Sequence, residues 1–159
     1  MSYVPDDVVP AEVGPVLLDT CVYVDGGKRQ LPRGAQRLVA GSHLFHSSAC
    51  IAELTYMLGR LDPAHPTTPQ AHRLMRDILA EIRPYRTVAP SRAAYVEAGI
   101  ITGTLARTQG LGPPDRRKLM LDVLIFLTAR ELGCPVLTAN STDFDLIQQL
   151  APQGKVLYY

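Results

Sequence analysis

The sequence predicts a single α/β domain with a parallel sheet, in which short strands alternate with helices. Short apolar runs of strand length are separated by longer segments that carry helix start and stop signals. The chain has 159 residues, of which 47% are hydrophobic. That is enough for one hydrophobic core, whereas two full domains would fit poorly.

The first half of the chain supplies three predicted strands. Pro15–Leu18 is an apolar run that ends abruptly at Asp19, as expected of a buried parallel strand running into a loop. The segment Gly26–Arg37 contains Gly, Pro and four basic residues but no acid, which predicts a loop leading into a short helix. His43–His46 is the second strand, and Arg86–Ala89 is a weak third.

Helices are predicted between these strands from their capping residues. Ser47 or Ser48 caps a helix that extends through Leu58, because a serine oxygen can accept a hydrogen bond from a free first-turn amide. Thr68 caps the next helix, which runs to about Arg83.

The second half contains the most apolar helix. Ser91 caps a helix toward Thr108, and Asp115 is expected to cap the one that follows. That helix is apolar on nearly every side and ends at Gly133, so it is expected to lie in the core. The strand Pro135–Thr138 follows it.

The chain is predicted to close with a short helix over Asp143–Leu150 and a fifth strand over Lys155–Tyr158. Residues 1–14 carry three acids, no basic residue and no long apolar run, so they do not form a signal peptide. We expect a flexible N-terminal tail over 1–14 and one domain over 15–159.

Composition and charge exclude several classes of protein. The formal net charge is +1, so any contact with nucleic acid must use local basic patches. Cys21, Cys50 and Cys134 lack the spacing of a disulfide framework or a zinc site, which favours a reducing cytoplasm. The densest apolar stretch, Leu119–Leu127, is interrupted by Asp122 and is shorter than the ~20 residues that span a bilayer, which argues against membrane insertion.

Three carboxylates occupy positions where apolar residues would be expected. Asp19, Glu53 and Asp122 each sit inside otherwise apolar sequence. A buried, unpaired carboxylate costs several kcal/mol, so each should be neutralised, hydrogen-bonded or bound to a cation. Ligands of open parallel sheets collect beyond the carboxyl ends of the strands, where Asp19 lies and Asp143 also emerges.

Clustered carboxylates without His or Cys ligands suit Mg²⁺ or Mn²⁺ rather than zinc or copper. One or two such ions can activate water and stabilise the leaving oxygen during attack on a phosphodiester. The four acids therefore lead to the hypothesis of a metal-dependent nuclease.

Four sequence blocks together resemble a PIN domain, especially the VapC-type ribonuclease toxins of type II toxin-antitoxin systems. The blocks are Leu17-Leu18-Asp19-Thr20, Ala52-Glu53-Leu54, Asp122-Val123-Leu124-Ile125 with Ala129-Arg130-Glu131-Leu132-Gly133, and Thr138-Ala139-Asn140-Ser141-Thr142-Asp143-Phe144. The resemblance extends from about Pro15 to Tyr158. Cys21 and the long basic segment Gly26–Arg37 depart from the usual pattern.

The resemblance implies a three-layer α/β/α sandwich around a parallel sheet of about five strands. It implies an endoribonuclease that uses Mg²⁺ or Mn²⁺, in which Asp19, Glu53, Asp122 and Asp143 bind metal and perform catalysis. Thr20 and Asn140 would support them through hydrogen bonds. The implied partners are an RNA substrate, a cognate antitoxin and a second copy of the chain.

Several residues also allow a structural interpretation. Asp19 is placed to cap a helix beginning near Thr20. Asp143 and Asp145 compete for the fourth acidic position, and we prefer Asp143 because Thr142 and Asp145 have the spacing of a capping box. The basic residues one turn before Asp122 could bind RNA phosphates or simply form a solvated face. They are Arg116, Arg117 and Lys118.

The main alternative function is a PIN-like module that binds RNA or protein without cutting it. A phosphoryl-accepting receiver or a dehalogenase-like phosphatase would need further acids around Asp19. Cys21 occupies the position of the phosphatase's second Asp, so both are poor alternatives.

Overall fold

The structure, a computed structural model, describes residues 1–159 and consists of one all-parallel sheet with helices on both faces. The strand order is β1-β6-β5-β2-β3-β4. In chain order the elements are β1 (Ser2–Tyr3), α1 (Pro10–Val13), β2 (Val16–Leu18), α2 (Thr20–Gly27), α3 (Arg33–Gly41), β3 (Leu44–Ser47), α4 (Ser48–Gly59), α5 (Thr68–Glu81), β4 (Thr87–Val88), α6 (Arg92–Thr108), α7 (Pro113–Glu131), β5 (Val136–Thr138), α8 (Ser141–Leu150) and β6 (Val156–Tyr158).

This architecture confirms the predicted α/β class and parallel sheet. All five predicted strands are present, each within a residue or two of its expected bounds. The sixth strand, β1, lies within the segment expected to be a flexible tail. It pairs with β6, and the Val4 amide donates to the Tyr158 carbonyl at 2.8 Å. Residues 1–14 therefore carry more regular structure than their sequence indicates.

The centre of the sheet is formed by β2 and β5, which pair Leu17 with Val136 and Leu18 with Leu137. Their side chains are buried, since each strand has neighbours on both sides and helices above and below. All strands run in one direction, so the residues that follow β2 and β5 emerge at the same edge of the sheet.

Helix α7 forms much of the core, as its sequence predicts. Leu119 and the whole stretch from Asp122 to Ala129 are buried. Its start was predicted wrongly, because Gly112 and not Asp115 is the N-cap residue. Asp115 lies in the first turn instead, where a negative charge interacts favourably with the helix dipole.

The basic segment Gly26–Arg37 divides into the end of α2, a short loop and the start of α3. The segment has four exposed basic side chains, those of Lys28, Arg29, Arg33 and Arg37. Ala35 and Leu38 are buried on the opposite face of α3, which packs toward the sheet. No helix in the chain is both long enough and apolar enough to cross a membrane.

Candidate active site

Asp19 lies where β2 ends and is both a helix cap and a buried acid. Its Oδ1 accepts a hydrogen bond from the Thr20 amide at 2.7 Å, which makes it the N-cap residue of α2. Its Oδ2 accepts from Thr138 Oγ1 at 2.6 Å and from Cys21 Sγ at 3.2 Å. Burial raises the pKa of Asp19 despite these hydrogen bonds.

Glu53 approaches from α4 and is connected to Asp19 through one residue. Ser47 caps α4 by accepting from the Ala49 amide, and Glu53 follows within the helix. Its Oε2 accepts from Thr20 Oγ1 at 2.6 Å. Burial raises the pKa of Glu53, and the negative charge of Asp19 adds to the shift.

Asp122 has only one hydrogen bond to offset the burial of its carboxyl group. It is only 2% exposed on α7, yet its single hydrogen bond comes from Asn140 Nδ2 at 3.2 Å. Burial raises the pKa of Asp122 to about 9, with repulsion from Asp19 adding to the shift and Lys118 opposing it.

Asp143 lies in the first turn of α8 and is held by two donors. Asn140 Nδ2 donates to its Oδ2 at 2.8 Å, and Lys118 Nζ does so at 3.0 Å. Burial would raise the pKa of Asp143, but these donors lower it below its usual value. The N-cap of α8 is Asn140, so the capping box expected at Thr142 and Asp145 is wrong. Asp145 instead accepts from Gln149, away from the other acids.

The four acids thus form two bridged pairs. Thr20 connects Asp19 with Glu53, and Asn140 connects Asp122 with Asp143. Three of the acids line a cleft of about 240 Å³. Asp143 does not line it but is hydrogen-bonded to Asn140 and Lys118, which do. The cleft is lined by Asp19, Thr20, Cys21, Val24, Asp25, Glu53, Met57, Lys118, Asp122 and Asn140.

The arrangement of the four carboxylates differs from the single metal site expected from the sequence. As the side chains stand, no group of three or more His, Cys, Asp or Glu residues could hold a metal ion. Several of the carboxylate oxygens are turned toward hydroxyl, amide and ammonium donors. The chemistry of the donors nevertheless suits a hard cation, since every acid offers only oxygen.

The three basic residues before Asp122 separate in the structure. Lys118 lines the cleft, whereas Arg116 Nε donates to the Leu111 carbonyl at 2.7 Å. The Arg117 guanidinium lies 4.1 Å from the ring centroid of Tyr56. Only Lys118 therefore reaches the acids directly.

Sequence reasoning missed five residues near the acids. Thr138 donates a hydrogen bond to Asp19 from the end of β5, and Cys21 does so from α2. The other three, Val24, Asp25 and Met57, line the cleft. Met57 follows Glu53 by four residues, so helical periodicity could have placed it on the same face. Thr138 could have been found because it ends a strand that is parallel to β2.

Several solved structures share this fold. A chain of VapBC2 from Rickettsia felis, bound to a promoter DNA fragment, has a TM-score of 0.62 and 17% identity over 91% of this chain and 98% of its own. A chain of FitAcB from Neisseria gonorrhoeae has a TM-score of 0.59 and 20% identity, and the match covers 91% of this chain and 96% of its own. A chain of DNA-bound VapBC from Salmonella typhimurium has a TM-score of 0.59 and 19% identity, and the match covers 89% of this chain and 96% of its own.

These structures confirm the expected PIN-like α/β/α sandwich at the level of fold. No protein-family model and no curated protein matches the sequence.

Proposed function

We propose that the chain is an endoribonuclease that depends on Mg²⁺ or Mn²⁺ and acts as the toxin of a VapBC-type pair. One observation carries the proposal: four acids from four separate helices or their caps meet where β2 and β5 end. These acids are Asp19, Glu53, Asp122 and Asp143. The fold shared with chains of VapBC complexes supports the same interpretation.

The oxygen donors at the cleft suit a hard divalent cation, although several of them would have to turn away from their present hydrogen-bond donors to hold it. Asp122 is a buried carboxylate with one hydrogen bond, and a cation would compensate its charge. Asp19, Glu53, Asp122 and Asp143 would hold the ion. Bound there, it would lower the pKa of a water molecule and stabilise the oxygen that leaves the phosphodiester.

The protein's own residues would prepare the cleft for the substrate. Thr20 and Asn140 orient the two carboxylate pairs, because each donates to an acid while its backbone is fixed at a helix start. Lys118 is exposed and provides a positive charge for a phosphate oxygen. Burial raises the pKa of Asp122, so binding of a cation there would be coupled to the release of a proton.

A cleavage experiment tests this function. Purified protein is incubated with mixed cellular RNA in Mg²⁺, in Mn²⁺ or in EDTA, and new 5′ ends are mapped. We expect discrete cuts with metal that are lost in EDTA and in Asp122→Asn. The matched control is Asp145→Asn, which changes an acid outside the cleft and should leave cleavage intact.

Two results would contradict the proposal. Undiminished cleavage by Asp122→Asn would remove the acids from the mechanism. Intact RNA under every condition, together with no binding of Mn²⁺ in a titration, would favour the non-catalytic binding module.

We further propose two protein partners. Two of the chains that share this fold come from VapBC structures bound to DNA, which supports an antitoxin that covers the cleft of this chain. A captured small protein that blocks metal-dependent cleavage at equimolar ratio would support it, and one that binds without blocking would not.

A homodimer is the second proposed partner. Helix α6 exposes two apolar side chains one turn apart, Val96 and Ile100, at 55% and 66%. Adjacent exposed apolar side chains on one helix face offer a surface on which a second copy of the chain could pack. Light scattering after size exclusion should give twice the 17.4 kDa mass of the chain, and a monomer would contradict the dimer.

A further inference from the structure

Beside the cleft lies a surface with one aromatic ring and two guanidinium groups. Tyr56 is 42% exposed on α4. Arg117 lies over its ring at 4.1 Å from the centroid, and Arg60 lies at 5.8 Å. Together with two prolines at the start of α7 they line an open depression of about 480 Å³. We call Tyr56, Arg60 and Arg117 the stacking surface.

The stacking surface is connected to the acids through both of its helices. Tyr56 follows Glu53 by three residues on α4, which is about one helical turn. Arg117 directly precedes Lys118 on α7, and Lys118 lines the cleft. A strand with its reacting phosphate in the cleft would therefore have a neighbouring nucleotide at this surface.

The two guanidinium groups are free to bind an anion. The chain contains two salt bridges, Lys118–Asp143 and Arg130–Glu97, and neither Arg60 nor Arg117 takes part in one. A guanidinium carries five N–H donors, so it can contact the ring and still bind a phosphate. The surface therefore combines an exposed aromatic ring with positive charge that no carboxylate neutralises.

We infer that the stacking surface binds an unpaired nucleotide of single-stranded RNA next to the phosphodiester that is cleaved. The base stacks on the Tyr56–Arg117 pair, and Arg60 and Arg117 contact the adjacent phosphates. Single-stranded RNA is recognised by this combination, since unstacked bases pack on aromatic rings and Arg planes. The inference rests on the proposed ribonuclease function and specifies how its substrate is held.

Binding is tested in the Asp122→Asn background, so that cleavage does not interfere. A fluorescent single-stranded oligoribonucleotide of mixed sequence is titrated, with anisotropy as the signal. Tyr56→Ala should weaken binding roughly 5- to 150-fold, the loss expected for one stacked base, while Tyr56→Phe should retain it. Arg117→Ala should also reduce the slope of log K against log salt by about 0.7.

The chain offers a matched control in a second exposed tyrosine. Tyr85 has Arg86 at 5.8 Å from its ring centroid. It precedes β4 and so lies at the amino ends of the parallel strands, whereas the acids lie at their carboxyl ends. Tyr85→Ala should leave binding unchanged. A duplex of the same sequence should bind independently of Tyr56, because its bases are already stacked.

The possible outcomes separate the two proposals. If the unsubstituted chain cleaves RNA but Tyr56→Ala binds as tightly as Tyr56→Phe, the stacking surface is refuted and the ribonuclease stands. The stacking surface is also refuted if Tyr56→Ala and Tyr85→Ala weaken the binding of single-stranded RNA equally. It is likewise refuted if Tyr56→Ala weakens the binding of single strand and duplex equally. If the Asp122→Asn protein binds no single-stranded RNA at all, the inference fails together with the substrate class on which it rests.

Discussion

Asn140 links the start of a helix to two of the acids. Its Oδ1 accepts from the Asp143 amide at 3.3 Å, and its Nδ2 donates to Asp122 and Asp143. One amide side chain therefore starts α8 and orients two carboxylates. Stability and site geometry are coupled at this residue.

Replacing Asn140 should affect both properties. Asn140→Ala is expected to lower the free energy of unfolding by about 1 kcal/mol, the usual cost of losing an N-cap, and to reduce metal-dependent cleavage. Urea denaturation and the RNA assay measure the two effects.

Ser91→Ala provides the comparison. Ser91 caps α6 through the Ala94 amide at 3.0 Å and donates to Glu131 at 2.6 Å, but it contacts none of the four acids near the cleft. Ser91→Ala should lower the free energy of unfolding by a similar amount and leave cleavage unchanged. Equal loss of cleavage in both variants would mean that Asn140 acts only through stability.

The acids could be located from sequence because their flanks are apolar. Asp19 and Asp122 interrupt runs that otherwise predict a buried strand and a buried helix, so the order of residues alone marks both positions as unusual. Thr138 has no such local signal, since 119 positions separate it from Asp19, and only the predicted parallel sheet could have linked the two residues.

At the scale of elements, the largest differences from expectation concern where helices start. Gly112 caps α7 and Asn140 caps α8, although Asp115 and Thr142 have the residue types that favour capping. Neighbouring polar residues compete for this position, and tertiary packing decides between them. The two-residue strand β1 has no local signal at all, because it exists through its pairing with β6.

Packing between elements leaves no room beside Gly154. A Cβ added there would overlap the ring of Phe126, which also packs against Phe144 at 6.4 Å between ring centroids. Gly154→Ala should therefore lower the free energy of unfolding by about 1–3 kcal/mol, because the ring must leave its position.

The comparison is Gly103→Ala on α6, where an added Cβ meets nothing within 4 Å. Alanine lowers the entropy of the unfolded chain there and should raise the free energy of unfolding by about 0.4–1 kcal/mol. Thermal melts of both variants measure the contrast, and equal shifts would contradict the overlap with Phe126.

At the scale of the whole molecule, the acids make stability depend on pH. Burial raises the pKa of Asp122 to about 9 in the folded chain, against an ordinary value near 3.8. Between these values the folded state holds a proton that the unfolded state has lost. The free energy of unfolding of metal-free protein should therefore fall as pH rises from 7 to 8, by up to about 1.4 kcal/mol for one proton.

Denaturant midpoints in EDTA at pH 7.0 and 8.0 test this dependence. The pH range lies above the titration of His46, whose lowered pKa acts in the opposite direction under acidic conditions. Asp122→Asn should reduce the slope, with the remainder coming from Asp19 and Glu53, whose pKa values burial also raises. Asp145→Asn should keep the slope. A flat profile in the unsubstituted protein would show that Asp122 is ionised in the folded state.

The pairing of β2 with β5 also determines when the cleft can form during synthesis. Asp19 is made early, but the hydroxyl that bonds it belongs to Thr138, and the amide that joins Asp122 to Asp143 belongs to Asn140. A nascent chain holds its first acid long before those partners leave the ribosome. The cleft therefore assembles only after most of the chain has been translated, so a partly made chain has no complete set of acids and supporting donors.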